Sequence, residues 1–283
     1  MELLQPGDWR EALETKAAHP EALPLWGGTD VMVDLNFGRE RPATILDLTR
    51  VRELAQWGED GGGLRVGAGV SYARAIAELG DLLPGLAAAS RTVGSPQIRN
   101  RGTIGGNLGS SSPAGDALPP LYASGAEIEL ASATGTRRVP IGEFITGPKR
   151  NVLAPDELIA AFHMKPAAGP QQFSKVGTRN AMVIAVCSFA LALHPDERRV
   201  GTCIGSAAPT PVPATEAEGF AAEALDWEGR GPIDDAALQR FGELVAAAAS
   251  PIDDVRGSSA YRRHALSVLA RRSLGWAWRE HAA

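Results

Sequence analysis

The chain has 283 residues, enough for one large or two modest domains, and its 44% apolar and 22% charged content is that of an ordinary globular protein. A formal net charge of −5 excludes a chain built to hold nucleic acid through a bulk basic excess. No apolar run reaches the about 20 residues of a membrane span; "AMVIAVCSFALAL" stops too early, and "MELLQPGDWREALE" lacks the basic start and apolar stretch of a signal peptide, so a cytoplasmic location is expected.

In chain order, "ALPLWGG" predicts a strand running into a glycine turn. "TDVMVDLNFG" predicts a short helix that Thr29 or Asp30 would cap through a side-chain oxygen. "ATILDLT" and "LRVGAG" read as further strands. "SYARAIAELG" has helical spacing at Tyr72, Ile76 and Leu79, with Ser71 as cap and Gly80 as stop. A helix around "LPGLAAASRTV" leads to the glycine-rich "RGTIGGNLGSSSPAGD". After it come a helical "DALPPLYASG", a hairpin "AEIELASATGTRRVPI" turning at "ATG", and a strand "DELIAAFHM". "KPAAGPQQ" reads as a linker.

From Phe173 the texture changes. "AMVIAVCSFALAL", "HPDER" and "RVGTCIGS" predict strand, turn and strand in an antiparallel hairpin, followed by a proline-stiffened loop, "APTPVPAT". Three helical stretches follow, near 215–225, 234–248 and 258–276. The last is expected to bury Tyr261, Ala265, Val268 and Leu269, leaving Arg262, Arg263, Arg271 and Arg272 as a solvated face or a docking surface. The whole reads as α+β: an N-terminal domain to about residue 170 and a smaller C-terminal α+β domain.

Chemistry is constrained by what is scarce. The two cysteines, Cys187 and Cys203, cannot supply the four ligands of an iron–sulfur cluster or structural zinc, and their apolar flanks predict buried free thiols. The five histidines show no ligand spacing, so no metal is expected on this chain. "VGAGVSYARA" opens like a dinucleotide fingerprint, but Tyr72 stands where its third glycine belongs, which makes the segment structural. No phosphate-binding G-x-x-x-x-G-K-[ST] loop occurs. Two turns remain, "WGGTD" and "TIGGN". Each has paired glycines beside a threonine, a pattern that either makes a tight turn or points successive N–H groups at an anion.

The segment "VGSPQIRNRGTIGGNLGSSSPAGDALPPLYASGAEIEL" closely resembles the FAD-binding medium subunit of the molybdenum hydroxylases, the carbon monoxide dehydrogenase and xanthine dehydrogenase type. "WGGTD", "FSKVGTRNAMVIAVCSFAL", "GSAAPTPVPATEAE" and "SSAYRRHALSVLARR" extend the resemblance over nearly the whole chain in the right order. It implies a two-part FAD-binding domain of the PCMH/VAO type, with subdomains of about 1–53 and 54–170, and a C-terminal domain over 171–283 of the CO dehydrogenase flavoprotein type. Carried over by residue, it implies a first diphosphate turn of Leu25, Trp26, Gly27, Gly28, Thr29 and Asp30, and a second of Thr103, Ile104, Gly105, Gly106 and Asn107. Asp116 would accept hydrogen bonds from ribityl or ribose hydroxyls, because a carboxylate near diphosphate is repelled.

Val93, Ile159 and Lys175 match positions near the flavin or its chain. Lys175 would offset charge on reduced flavin or be a solvated lysine at a strand start; Arg179 is expected to pair with a neighbouring acidic group. Trp26, bulky where the family has a small residue, would point into the core or pack on one end of the cofactor, and Pro213 replaces a frequent arginine. No general acid or base stands out. The resemblance implies an oxidoreductase subunit that passes electrons from 2Fe–2S clusters on a small partner chain to an external acceptor such as NAD, O2 or a quinone. A large partner would carry molybdopterin. The competing readings are a stand-alone FAD-dependent oxidoreductase acting directly on a small molecule, and a binding protein without flavin.

Overall fold

A computed structural model describes residues 1–39 and 41–283. The chain opens with β1 (Glu2–Leu4), α1 (Trp9–Ala18), β2 (Leu23–Leu25), α2 (Val31–Asn36) and β3 (Thr44–Asp47). These strands form a parallel sheet in the order β1-β3-β2. Each return path runs through a helix, as parallel pairing requires. Asp8 caps α1 by accepting from the Glu11 amide, and Ala12 seals the helix against Leu46 and Leu48.

A short 3-10 turn, Arg52–Ala55, leads into β4 (Trp57–Asp60) and β5 (Gly63–Gly67). The helices α3 (Tyr72–Glu78), α4 (Pro84–Arg91), α5 (Pro96–Arg101), α6 (Ile104–Ser110) and α7 (Leu118–Ala123) follow in succession. Then come β6 (Glu127–Ser132), β7 (Gly135–Pro140), a single turn of helix α8 (Ile141–Phe144), the small ribbon β8 (Ile145–Gly147) and β9 (Arg150–Asn151), and β10 (Leu158–Met164). The five longer strands make an antiparallel sheet in the order β4-β5-β10-β6-β7. One face buries Val66, Ile128, Leu130 and Phe162 under Leu79, Leu86, Ile104, Leu108 and Leu121 from the helices. Side chains of that size contribute about 1.5–3 kcal/mol each when fully buried. This core packs α3 and α6 against the sheet.

The last part adds β11 (Gln171–Val176), β12 (Cys187–His194) and β13 (Arg199–Gly205), an antiparallel sheet in that order, and α9 (Thr215–Ala224), α10 (Asp235–Ala248) and α11 (Ser259–Ala282). One face of β12 packs Phe189, Leu191 and Leu193 against Phe241, Leu266, Leu274 and Trp278 of the helices. Its other face carries Ser188, Ala190, Ala192 and His194, and the two alanines rest on Ala123 of α7. Small side chains there let two backbones approach: a Cβ at Gly201 would strike the Ala123 carbonyl, and one at Gly205 would stand 2.8 Å from Pro119. Gln171 ties the same seam by accepting from the Gly85 amide (3.0 Å) and donating to Ser124 Oγ (3.3 Å).

Several local expectations differ from this structure. "AMVI" is an irregular segment ahead of β12 and not its first half, and Met182 and Ile184 are exposed. The strand paired with β12 on that side is β11. The buried face of α11 is also rotated from the expected one. Ala265, Leu266, Ala270, Leu274, Ala277 and Trp278 are buried, while Tyr261 is 49% exposed and Val268 and Leu269 only half-buried. Arg262 accordingly lies inside, donating to Asp254 Oδ1 (2.6 Å) and Ser206 O (2.7 Å). Arg263 donates to the Ala249 carbonyl (2.6 Å) just past the end of α10. Of the four arginines expected on a solvated or docking face, Arg271 and Arg272 line an open groove, with Arg279 and Trp276 beside them.

Candidate functional site

The two glycine turns meet at their backbones. A Cβ on Gly27 would collide with the Arg101 carbonyl and stand 3.0 Å from Gly102 Cα, so the first loop lies directly on the chain that enters the second. Gly28 has φ +73°, a left-handed conformation in which any side chain is strained. From the far side the loops are joined by Ser110 at the end of α6, whose Oγ donates to Asp30 Oδ2 at 2.7 Å. Asp30 therefore does not cap α2: its backbone is already helical and its carboxylate is turned across to α6. Thr29 does not cap either; its Oγ1 lies 3.2 Å from where a Gly102 Cβ would be.

In the first loop, among the described residues, the N–H groups of Gly27, Gly28, Thr29 and Asp30 meet no protein acceptor. They are the free donors that the paired-glycine pattern predicts. The second loop is built differently. Thr103 is the N-cap of α6, and the helix already includes Ile104, Gly105 and Gly106. Its opening amides are bonded within the protein: Ile104 to Val70 O (3.3 Å), Gly105 to Ala68 O (3.1 Å), Gly106 to Thr103 Oγ1 (2.9 Å) and Asn107 to Thr103 O (3.1 Å). The expectation of outward-pointing amides therefore does not hold for "TIGGN". Gly105 is buried because a Cβ there would strike Ala68, whereas Gly106 and Gly109 are exposed on the same side of α6, with Ser110 half-buried beside them. Positions 106, 109 and 110 are spaced to share a helix face. The helix thus presents bare backbone outward.

Asn107 reaches forward from this helix. Its Oδ1 accepts from the Ala117 amide (3.1 Å) and so pins the segment that carries Asp116. The Asp116 side chain is 10% exposed and pairs through Oδ2 with Lys175 Nζ at 2.6 Å, with Thr92 Oγ1 at 3.4 Å. Its Oδ1 is buried and, among the described residues, meets no donor. An unmet buried acceptor costs about 1–3 kcal/mol. Burial pushes the Asp116 carboxyl above the ordinary carboxylate range, against the opposing pull of Lys175 and Thr92. Tyr72 lies close by, its ring edge against Gly102 and its amide bonded to Gly102 O (3.1 Å). Burial, then Asp116, then Asp30 push its phenol up.

Lys175 is neither solvated nor at a strand start. It sits near the end of β11 with a 7% exposed side chain, and its ammonium also donates to Thr92 O (2.9 Å) and Val183 O (3.3 Å). Arg179 finds no acidic partner among the described residues; it donates to the carbonyls of Ala181 and Met182 in its own loop. Leu25 ends β2, and Ile159 sits at an irregularity of β10, its Cδ1 3.7 Å from where a Gly109 Cβ would be. Val93 is half-buried against the main core, its carbonyl held by Arg99 (3.0 Å). Ile104 is fully buried and Thr103 only 3% exposed, so both shape the loop from beneath. Trp26 takes the inward option: its indole packs over Gly69 on the edge of the first core. The contacts made by Tyr72, Thr92 and Ser110 carried no sequence signal of their own; they join elements brought together only by folding.

Free N–H donors, an exposed stretch of bare helix and a buried acceptor without a donor make a polar set complementary to a phosphorylated polyol. Cys187 and Cys203 are fully buried, and burial pushes the Cys187 thiol up to about 12. Neither is a thiolate available to a metal.

A family model described as the FAD binding domain in molybdopterin dehydrogenase matches residues 1–165, and one described as the CO dehydrogenase flavoprotein C-terminal domain matches residues 172–277. The chain is 32% identical over 273 residues to the xanthine dehydrogenase FAD-binding subunit of Escherichia coli O157:H7, with 93% of this chain and 90% of that one covered. It is 29% identical over 265 residues to the glyceraldehyde dehydrogenase medium chain of Sulfolobus acidocaldarius, with 92% of each covered. A chain of the carbon monoxide dehydrogenase from Hydrogenophaga pseudoflava is similar with a TM-score of 0.89 at 25% identity, over 99% of this chain and 98% of that one.

Proposed function

The chain belongs to the FAD-binding medium subunits of the molybdopterin dehydrogenases, a family of oxidoreductases, and we propose that it holds FAD between its two glycine loops and passes electrons from 2Fe–2S clusters on a small partner chain to an external acceptor. The observation that carries the site is the complementary set of unmet groups: free amides at residues 27–30 and the free Oδ1 of Asp116. In this reading the first loop, from Leu25 to Asp30, receives the diphosphate oxygens. The bare face of α6 lets the cofactor lie against the backbone, with Thr103, Ile104, Gly105 and Asn107 giving that helix its shape. Asp116 accepts from a hydroxyl of the ribityl chain or ribose, and Val93 and Ile159 bound the apolar flank. The division of the chain falls near residue 170, and the domain after it contributes Lys175.

FAD, when bound, supplies the capacity to accept electrons singly, store a pair and release them singly or as hydride. The residues of this chain bind, orient and shield; the reading assigns none of them as a general acid or base. The sequestered thiols of Cys187 and Cys203 support placing the clusters elsewhere. A large molybdopterin-binding subunit completes the proposed assembly. The carbon monoxide dehydrogenase from Hydrogenophaga, solved in a form lacking the Mo-pyranopterin moiety of its molybdenum cofactor, supports that partner.

Purified chain is expected to show a flavin absorption spectrum and to release FAD on denaturation, in about equimolar amount for a single site. Co-expression with a large molybdopterin-binding chain and a small 2Fe–2S chain from the same genome should give one complex. Colourless protein that takes up no added FAD would overturn the cofactor reading. Turnover of a small molecule by the isolated chain would move the assignment to a stand-alone oxidoreductase.

A further inference from the structure

Lys175 and Asp116 come from different domains. Lys175 stands on β11 of the C-terminal sheet, and Asp116 lies between α6 and α7 of the preceding one. Their contact of 2.6 Å is the length of a charge-assisted bond, and both side chains are at least nine-tenths buried. The lysine has three hydrogens and three acceptors in place: Asp116 Oδ2, Thr92 O and Val183 O. It has no donor left over for a cofactor. Asp116 is the opposite case, with one oxygen spent on the lysine and the other unmet. The remaining titratable groups whose charge bears on this place, Tyr72 on α3 and Asp30 in the first loop, bring no positive charge. Lys175 is therefore the cation that compensates this buried carboxylate.

We infer that Lys175 is a positioning residue which acts on the cofactor only through Asp116: the C-terminal domain holds that carboxylate ionised and oriented, with Oδ1 left to accept a cofactor hydroxyl. The inference rests on the FAD reading above. Removing one partner of a buried ion pair leaves an uncompensated charge, and the group then neutralises instead. A protonated Asp116 is a poorer acceptor and is no longer fixed by the ammonium. Because burial pushes the Asp116 carboxyl up and Lys175 opposes that push, loss of Lys175 raises the pH at which the carboxyl protonates. FAD binds the ionised form, so its affinity falls as pH is lowered through that point.

The test is a double-mutant cycle on the full chain, with FAD removed and added back, and the dissociation constant read from flavin fluorescence between pH 5.5 and about 9, a range wide enough to bracket the shifted carboxyl. Lys175→Met and Asp116→Asn are each expected to weaken FAD about tenfold or more at neutral pH. The double variant should be no weaker than Asp116→Asn alone. Lys175→Met should lose affinity on acidification at a higher pH than wild type, and Lys175→Arg, which keeps the charge, should stay within about threefold. Lys175→Gln replaces Lys175→Met if the latter does not fold, judged by circular dichroism. An additive loss in the double variant would mean that Lys175 touches the cofactor itself, and unaltered affinity in the Lys175 variants would mean that it does nothing; either outcome overturns the inference alone. A wild-type chain that binds no FAD overturns the FAD reading along with it.

Discussion

The loops at 26–30 and 103–107 carry nearly the same letters, and they solve different problems. In the first, two glycines free the backbone so that, among the described residues, its amides meet no acceptor, with Gly28 in a left-handed conformation that strains a side chain. In the second, every amide from 104 to 107 is consumed inside the protein. There Gly105 removes a side chain so that α6 can sit on Ala68, and Gly106 removes one so that the outer face stays flat. One Gly-Gly pair provides donors; the other provides room. Paired glycines in a sequence therefore announce close approach, but not which side approaches what.

The sharpest way to break that contrast is Gly106→Val. Its Cβ would meet only Thr103 Oγ1 at 3.1 Å, so the protein should fold, while the branched side chain covers the bare face. FAD affinity is expected to drop about a hundredfold, roughly 2.7 kcal/mol by the usual relation, measured by equilibrium dialysis. Unchanged FAD content in folded Gly106→Val would remove α6 from the site. Gly105→Ala should do the reverse. The methyl is forced into Ala68, and thermal or urea unfolding of the FAD-free protein should show a loss of about 1–3 kcal/mol. Stability equal to wild type would contradict the packing role.

Gly28→Ala probes the first loop. The left-handed conformation makes a stability cost of about 1–2 kcal/mol the expectation, with FAD weakened as the free amides shift. The smallest effect belongs to Ser110→Ala, which deletes the exposed bond to Asp30. A loss of about 0.5–1.5 kcal/mol is the ceiling for such a bond, and FAD binding should move by no more than about tenfold. A larger change would mean that Ser110 meets the ligand directly.

Much of the fold was legible because local signals agreed. Ser71 caps α3 as its position predicts, the hairpin turns at "ATG", and the helices near 215, 234 and 258 start within a residue of expectation. The two loops were legible as a pair of sites for close approach. Their division of labour was not, because it depends on which carbonyls of Ala68 and Val70 fold against them. The missed strand β11 is half-buried along its whole length and shows no alternation. The face of α11 was misjudged because a buried arginine reads as a surface residue until its partners, Asp254 and the Ser206 carbonyl, are brought beside it. The pairing of Lys175 with Asp116 lies 59 residues apart in sequence and on two separate sheets' worth of chain. Nothing short of tertiary structure joins them.

The indole of Trp26 has a consequence for how this chain can vary. A Cβ at Gly69 would lie 2.6 Å from the ring, so the two positions behave as a single steric lock. A tryptophan at the start of the first loop is tolerated because residue 69 has nothing to offer but backbone. Descendants that gain bulk at 69 must shed it at 26, and the route between them passes through a chain that is either overfilled or hollow at the hinge of its ligand cradle.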